Sequence, residues 1–312
     1  MVDDFDQLVA GYRPELLSHC YRMLGSTHDA EDALQEALLG AWRGWAGFAG
    51  RSSVRTWLYT ICTNACLRLA RKRPRRVLTP DFGPPFEQNR DLGEPIGGPV
   101  WLEPFVADPA DSYAQRESIE LAFVAALQYL PANQRAVLIL REVLEFSATE
   151  VATMLDTTPA SVNSALQRAR KAVDERVPPM SQQAELEALG DSGRALVGSL
   201  VDAWQRADLD SLLSLLTEDV RFTMPPLPAW FDGLVSVRRF FADRVFQTPW
   251  QLTCVQSNAQ LATACYQQAE PDGPFRLGAL NVLTVRDGRI AALSGFLEPA
   301  LLASLKLPLE MR

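Results

Sequence analysis

The chain has 312 residues, 47% of them hydrophobic and 22% charged, with a formal net charge of −8. That length exceeds a single domain of about 100 to 200 residues, so two or three separate cores are expected. No apolar run approaches the roughly 18 residues a membrane span requires. Asp3, Asp4 and Asp6 stand where a secretory leader would carry basic residues, so a cytoplasmic protein with no membrane partner is expected. Cys20, Cys62, Cys66, Cys254 and Cys265 form no CxxC pair, and only His19 and His28 could join them. They read as reduced, buried thiols, with no metal and no cofactor expected.

An acidic total argues against nucleic-acid binding, but the charge is segregated. Asp29, Glu31, Asp32 and Glu36 crowd one stretch; from Arg51 to Arg76 eight basic residues follow without an acidic one. Such separation predicts two different partner surfaces.

Residues 5–73 read as helices. Leu16, Cys20, Met23 and Leu24 have helical spacing, as do Leu34, Leu38, Ala41, Trp42 and Trp45. Gly25-Ser26-Thr27 breaks the first pair, with Thr27 the expected cap of the next helix and acidic residues in its first turn. Gly44, Gly47 and Gly50 end that helix; Ser53 starts another that runs to about Arg73, before Pro74. From Val77 to about Pro109 prolines and glycines mark a linker, yet Trp101-Leu102-Glu103-Pro104-Phe105 is too apolar for a solvated tether and is expected to dock on a domain surface. Helices resume from about Ala114 to Leu130, and Pro131 opens another. Two short ones, about Ser147 to Leu155 and Thr158 to Glu175, join through Asp156-Thr157 as a helix-turn-helix, and Pro178-Pro179 closes the unit. Beyond Gln182, helices from about Ser192 to Ala207 and Leu209 to Leu216 precede strand-like runs at Val220–Met224, Leu252–Gln256, Gln260–Gln267, Arg276–Arg286 and Arg289–Phe296. Asp287-Gly288 signals a tight hairpin. The third region is therefore α+β, helices before an antiparallel sheet.

In a helix-turn-helix the second helix enters the major groove, polar residues towards base edges and basic ones towards phosphates. From Thr158 onwards, Val162, Leu166, Ala169 and Val173 make an inward stripe and Ser161, Asn163, Ser164, Gln167, Arg168 and Lys171 face outward. Asn and Gln pair bidentately with adenine, Arg with guanine; the competing reading is an amphipathic hairpin packed within a bundle. The basic helix interleaves Phe48, Trp57, Tyr59 and Asn64 with its cations, the combination that single-stranded bases require. Trp57 reads equally as core, and Arg71 to Arg76 equally as a solvated helix end.

Three stretches in order, Asp29-Ala30-Glu31-Asp32-Ala33-Leu34-Gln35-Glu36, Thr56-Trp57-Leu58-Tyr59-Thr60-Ile61 running to Asn64, and Leu130-Pro131-Ala132-Asn133-Gln134-Arg135, resemble sigma factors of the extracytoplasmic-function type over residues 5–178. The resemblance implies a factor that brings core RNA polymerase to promoter DNA. Asp29, Glu31, Asp32, Gln35 and Glu36 would then dock on the polymerase clamp. Phe48, Arg51, Ser52, Arg55, Trp57, Asn64, Arg68, Arg71 and Arg73 would hold flipped bases of the minus-ten element, and the helix from Thr158 would read the minus-thirty-five element. No catalytic side chain is needed for this, because pocket binding offsets unstacking. Whether a separate anti-sigma protein exists cannot be read from the chain.

The C-terminal region resembles the SnoaL-like, ketosteroid-isomerase-like cone fold through Ala203-Trp204 to Asp210, Leu215-Leu216-Thr217-Glu218-Asp219-Val220, Pro225 to Gly233 and Phe240-Phe241. The expected architecture is thus multidomain: a helical sigma domain over 1–77, a linker over 78–113, a second helical sigma domain with the helix-turn-helix over 114–180, and an α+β cone domain over 190–312. In sigma factors with this appendage the cone domain regulates by contact. Isomerase chemistry needs a base in an apolar cavity, and residues 190–312 contain no histidine. Asp219 reads as a helix-to-strand junction residue and Asp232 as a turn residue. Trp204, Phe222, Trp230, Phe231, Asp232 and Tyr266 form a candidate pocket for a small apolar ligand, with a plain core as the other reading. Two competing functions are a cone-fold enzyme or binding protein fused to a helix-turn-helix regulator, and a one-component repressor.

Overall fold

The structure, a computed structural model, describes residues 2–87, 91–106, 119–305 and 307–311. It divides into two compact units: residues up to Arg76 with those ending at Pro179, and Val77–Val106 with those from Met180 onwards.

The first unit begins with α1 (Val2–Ala10) and α2 (Arg13–Leu24). Gly25, at φ 68°, ends α2 in the left-handed conformation that glycine adopts without steric cost, its N–H returning to the Tyr21 carbonyl. Ser26, not Thr27, caps α3 (Thr27–Gly44), accepting from the Asp29 N–H. Ser53 caps α4 (Val54–Ala70) in the same way. The apolar spacing of α2, α3 and α4 places Leu16, Cys20, Met23, Leu34, Ala41, Leu58, Cys62 and Cys66 in the core. Trp42, expected inside with Leu34 and Ala41, is instead 52% exposed.

A short helix, α5 (Thr79–Phe82), lies in the linker. Next come α6 (Leu121–Gln128) and α7 (Ala132–Leu138), with Pro131 at the cap position and a π-type turn over Ile139–Val143. The residues before 119 that were expected to begin this helical set lie outside the described residues. α8 (Ala148–Met154) starts with a reciprocal Ser147–Glu150 capping box, and α9 (Pro159–Asp174) with Thr158 accepting from Ser161.

The two helical sets, expected as separate domains, pack as one body. Arg135, in the Leu130-to-Arg135 motif, supplies much of the reason. Its guanidinium donates to the Leu127 carbonyl at 2.8 Å, to Gln128 Oε1 at 2.8 Å and to the Met23 carbonyl on α2. Gln128 in turn donates to the Arg22 carbonyl. Burial lowers the Arg135 pKa to about 10.

The second unit adds α10 (Gln182–Leu189), α11 (Asp191–Gln205), α12 (Leu209–Ser214) and α13 (Gly233–Asp243), wrapped on strands β1 (Leu216–Thr223), β2 (Trp230–Asp232), β3 (Trp250–Ser257), β4 (Gln260–Gln267), β5 (Phe275–Arg286) and β6 (Arg289–Phe296). α14 (Pro299–Ser304) and β7 (Glu310–Met311) follow. The strand order is β2-β1-β6-β5-β4-β3 with β7 on β5. β1 and β6 run parallel, so the sheet is mixed rather than wholly antiparallel as expected. Asp287 and Gly288 both take positive φ, 52° and 73°, the requirement of the two-residue turn between β5 and β6. Leu200, Trp204, Val220, Phe222, Phe231, Phe241, Leu283 and Leu293 lie in the cone core.

The linker belongs to this second unit. Phe86 and Leu92 pack on the cone core. The Phe86 N–H donates to the Trp230 carbonyl, the Trp230 indole N–H to the Gly83 carbonyl and the Ile96 N–H to the Pro226 carbonyl, all at 2.8–2.9 Å. As expected from its apolar character, the Trp101 stretch is docked, with Trp101, Leu102 and Phe105 buried.

Candidate nucleic-acid interface

α9 stands as the pattern predicted. Val162, Leu166, Ala169 and Val173 are buried, while Ser161, Asn163, Ser164, Gln167, Arg168 and Lys171 are all exposed on its outer side. The Thr158 cap and Pro159 in the first turn fix its N-terminus. Asp156, at φ 50°, makes the sharp turn from α8. A capped helix offering amide side chains near its start and cations further along matches what a major groove accepts. Arg170 is held at 2.6 Å by Glu142.

The other candidate surface lies at the α3–α4 junction. The Trp45 and Phe48 rings stack at 5.6 Å and 10°, and Phe48 meets Trp57 at 4.9 Å. Phe48, Trp57 and Asn64 are half-buried; Arg51 and Ser52 are exposed beside them. Trp57 therefore satisfies neither reading alone: one part packs in the cluster and the rest reaches solvent.

Several expected basic contacts are already engaged. Arg55 lies 3.7 Å from Glu15, its guanidinium over the rings of Tyr59 and Phe146. Arg68 pairs with Glu36 at 2.8 Å and Arg73 with Asp29 at 3.4 Å. Arg71 is exposed. The acidic and basic stretches, expected as distinct surfaces, are thus joined by ion pairs along their shared edge.

Asp29 leaves the acidic face altogether. It is 2% exposed and bound by Arg76 and Arg73, a structural pair. Glu31, Asp32, Gln35 and Glu36 remain on the outer face of α3. The sequence reading missed their continuation: Leu39 and Trp42, one and two turns further on, are 51% and 52% exposed. They border a groove of about 370 Å³ that includes Phe5, Val9, Gln35 and Leu38. The available signal was Trp42 following Gln35 by seven residues, which sets both on one helix face.

The six residues of the candidate cone pocket do not converge. Trp204, Phe222 and Phe231 join the core cluster, where rings fill the space: Trp204 meets Phe241 at 4.8 Å, Phe222 meets Phe240 at 5.4 Å and Phe231 meets Phe240 at 4.4 Å. Trp230 turns to the linker, and buried Tyr266 lies outside that cluster. Asp232 is exposed and 3.6 Å from Arg221. Asp219 is not a junction residue but an exposed position on β1; hydrogen bonds from Arg286 and Thr217 hold its carboxyl below the usual range. Neither Asp219 nor Asp232 has the dry setting that a catalytic base requires.

Comparison with known proteins accounts for all three parts. Family models for Sigma-70 region 2, Sigma-70 region 4 and a SnoaL-like domain match residues 8–76, 120–173 and 197–293. Two Sigma-70 regions, the second carrying a helix-turn-helix, define a promoter-directing subunit of RNA polymerase. The ECF RNA polymerase sigma factor SigG of Mycobacterium tuberculosis is 39% identical over 323 residues, covering 98% of this chain and 84% of SigG. SigJ of the same organism is 29% identical, covering 96% of this chain and 92% of SigJ. The crystal structure of SigJ matches at TM-score 0.64 and 25% identity, covering 99% of this chain and all of that one. The chain belongs to the extracytoplasmic-function sigma factors of RNA polymerase, and it carries a SnoaL-like C-terminal domain.

Proposed function

We propose that the chain directs core RNA polymerase to its promoters through three surfaces with separate tasks. Glu31, Asp32, Gln35 and Glu36 dock on the polymerase. Phe48, Arg51, Ser52, Trp57 and Asn64 receive unstacked bases of the minus-ten element, with Arg71 on the backbone, because opened DNA needs stacking surfaces beside positive charge. Ser161, Asn163, Ser164, Gln167, Arg168 and Lys171 read the minus-thirty-five element as duplex. The observation that carries this reading is α9, whose six polar and basic residues all face outward on a helix capped at its start by Thr158.

The cone domain regulates by contact, through the linker it holds. Ring-on-ring packing of Trp204, Phe222 and Phe231 supports this over ligand binding, and the exposure of Asp232 supports it over catalysis. The protein is a non-enzymatic cytoplasmic factor. Transcription in vitro with core polymerase tests the reading: promoter-specific starts are expected from the full chain, and none under any condition would reject it.

A further inference from the structure

The cations of α9 are Arg168, Arg170 and Lys171, and they are not equivalent. Arg168 and Lys171 are exposed with no acidic partner among the described residues. Arg170 is 53% exposed, yet its Nη2 donates at 2.6 Å to Glu142, 28 positions earlier in the chain. Arg170 follows Asn163 by seven residues and Gln167 by three, so it stands on the same flank of the helix as these two amides. A recognition helix meets base edges with its first turns. Two turns beyond Asn163, the group within reach of a guanidinium is therefore a backbone phosphate.

Glu142 is placed there by the turn that ends α7. Over Ile139–Val143 the helix widens: the Leu144 N–H donates to the Ile139 carbonyl at 3.0 Å, five residues back rather than four. Ile139 and Leu140 are fully buried, and Arg141 donates to the Phe146 carbonyl at the corner leading into α8. The backbone is thus fixed on both sides of Glu142, and its carboxylate is held towards α9. Asp174, one turn on from Arg170, makes no ion pair with it among the described residues. A pair as exposed as Glu142 and Arg170 adds little to stability, so stability does not account for a carboxylate beside the reading face.

We infer that Glu142 is a specificity-determining residue that acts through Arg170: by compensating that guanidinium it withholds one phosphate contact from α9. The inference rests on the reading of α9 as the helix that addresses duplex DNA. Binding to arbitrary duplex is almost wholly phosphate contact, each contact adding about 0.9 to the slope of log affinity against log salt. Between 1 M and about 0.1 M salt, one such contact is worth roughly eightfold. On the upstream element, base contacts from Asn163 and Gln167 hold the helix in one register. On other sequences it settles wherever cations meet phosphates, so an uncompensated Arg170 would favour the wrong sequences more than the right one.

The test uses the full chain with core polymerase and two duplex fragments, one carrying the upstream element and one with that element scrambled, titrated over a range of salt. Glu142→Gln keeps the shape and removes the charge. It is expected to bind the scrambled fragment about eightfold more tightly at about 0.1 M salt, with a slope steeper by about 0.9 and a smaller gain on the intact element. Arg170→Gln should change little, because its charge is already compensated. The double variant should return to the parent values at an unchanged melting temperature. A double variant that keeps the gain overturns the inference, since Glu142 would then act on DNA directly. So does an unchanged slope or a loss of affinity in Glu142→Gln, which would mean that Arg170 misses the backbone or needs Glu142 to reach it. Asn163→Ala on the same fragments tells the two failures apart: if it alone erodes discrimination, Glu142 has no such role and α9 still reads the element, and if neither variant matters the reading of α9 falls as well.

Discussion

Arg55 on α4 lays its guanidinium 4.7 Å from the centre of the Phe146 ring, at the corner leading into α8. The same guanidinium is 5.0 Å from Tyr59, and Tyr59 meets Phe146 edge-on at 5.4 Å. The Arg55 side chain keeps 37% of its surface exposed, so the cation–ring contact is worth about 1 kcal/mol at most. Phe146→Ala should cost about 3 kcal/mol, since the ring is buried and its loss leaves a cavity. Arg55→Ala should cost about 1 kcal/mol. In urea denaturation the double variant is expected to lose about 1 kcal/mol less than the two singles added together; strict additivity would show that the stacking is energetically silent.

Arg135→Met removes every donor that ties α6 and α7 to the Met23 carbonyl while filling a similar volume. Several buried carbonyls then lack partners, at about 1 to 3 kcal/mol each before relaxation. A loss of about 3 kcal/mol in chemical denaturation is expected, with Arg135→Lys recovering only part of it, because one ammonium cannot reach acceptors spread around a planar fork. A loss below about 1 kcal/mol would mean that water replaces the guanidinium.

On α9, Asn163→Ala and Gln167→Ala should relax base preference by about 1 to 3 kcal/mol at individual positions of the upstream element, read by selection from randomised promoters. Arg71→Ala should weaken binding on all sequences alike and reduce the salt slope by about one. Arg73→Ala should change the slope less, because Asp29 already compensates that charge at 3.4 Å. Equal slopes for the two arginine variants would contradict this.

The contrast between α9 and Asp29 shows what the sequence could disclose. α9 was legible because its cap, its buried stripe and its outward residues all lie within 16 positions of one another. So was the Asp287-Gly288 hairpin, a two-residue event. Asp29 carries the same local signature as Glu31 and Asp32; its burial is decided by Arg76, 47 positions away. The hold on Phe105 comes from Asn258, 153 positions away, and leaves no trace in linker composition beyond its apolar character. β2 and α13 carry no clear period in the sequence: Trp230 and Phe231 read as pocket lining, and Phe240-Phe241 only as part of the resemblance to the cone fold, rather than as a short strand leading into a helix.

Trp42 and Leu39 extend the acidic face of α3 with exposed apolar surface, where monomeric proteins gain nothing from it. Trp42→Ala should leave stability within about 0.5 kcal/mol, as for other surface changes. Its affinity for core polymerase should fall about tenfold, in the range of an interface aromatic. Unchanged affinity in a titration of labelled core enzyme would confine the docking face to Glu31, Asp32, Gln35 and Glu36.

His19 makes the first unit sensitive to acid. It is completely buried between α2 and α4, hydrogen-bonded through Nε2 to the Thr63 hydroxyl at 2.9 Å and set edge-on to Tyr59. Burial, reinforced by the Arg22 and Arg55 charges, lowers its pKa from 6.5 to about 3. The folded form thus holds a neutral imidazole while the unfolded chain takes up a proton below pH 6.5. Proton uptake by the unfolded state alone means that stability rises with pH through this window and falls as pH is lowered, by about 1.4 kcal/mol per unit until the folded value is reached. His28, the other histidine, is exposed beside Asp32 and is not part of this buried arrangement. His19→Gln keeps a donor towards Thr63 and removes the titrating group. Urea denaturation between about pH 7 and pH 5 should therefore show a steep acid loss in the parent and a shallow one in the variant. Parallel slopes would place the acid sensitivity in other groups, and the neutral, buried state of His19 would have no thermodynamic consequence.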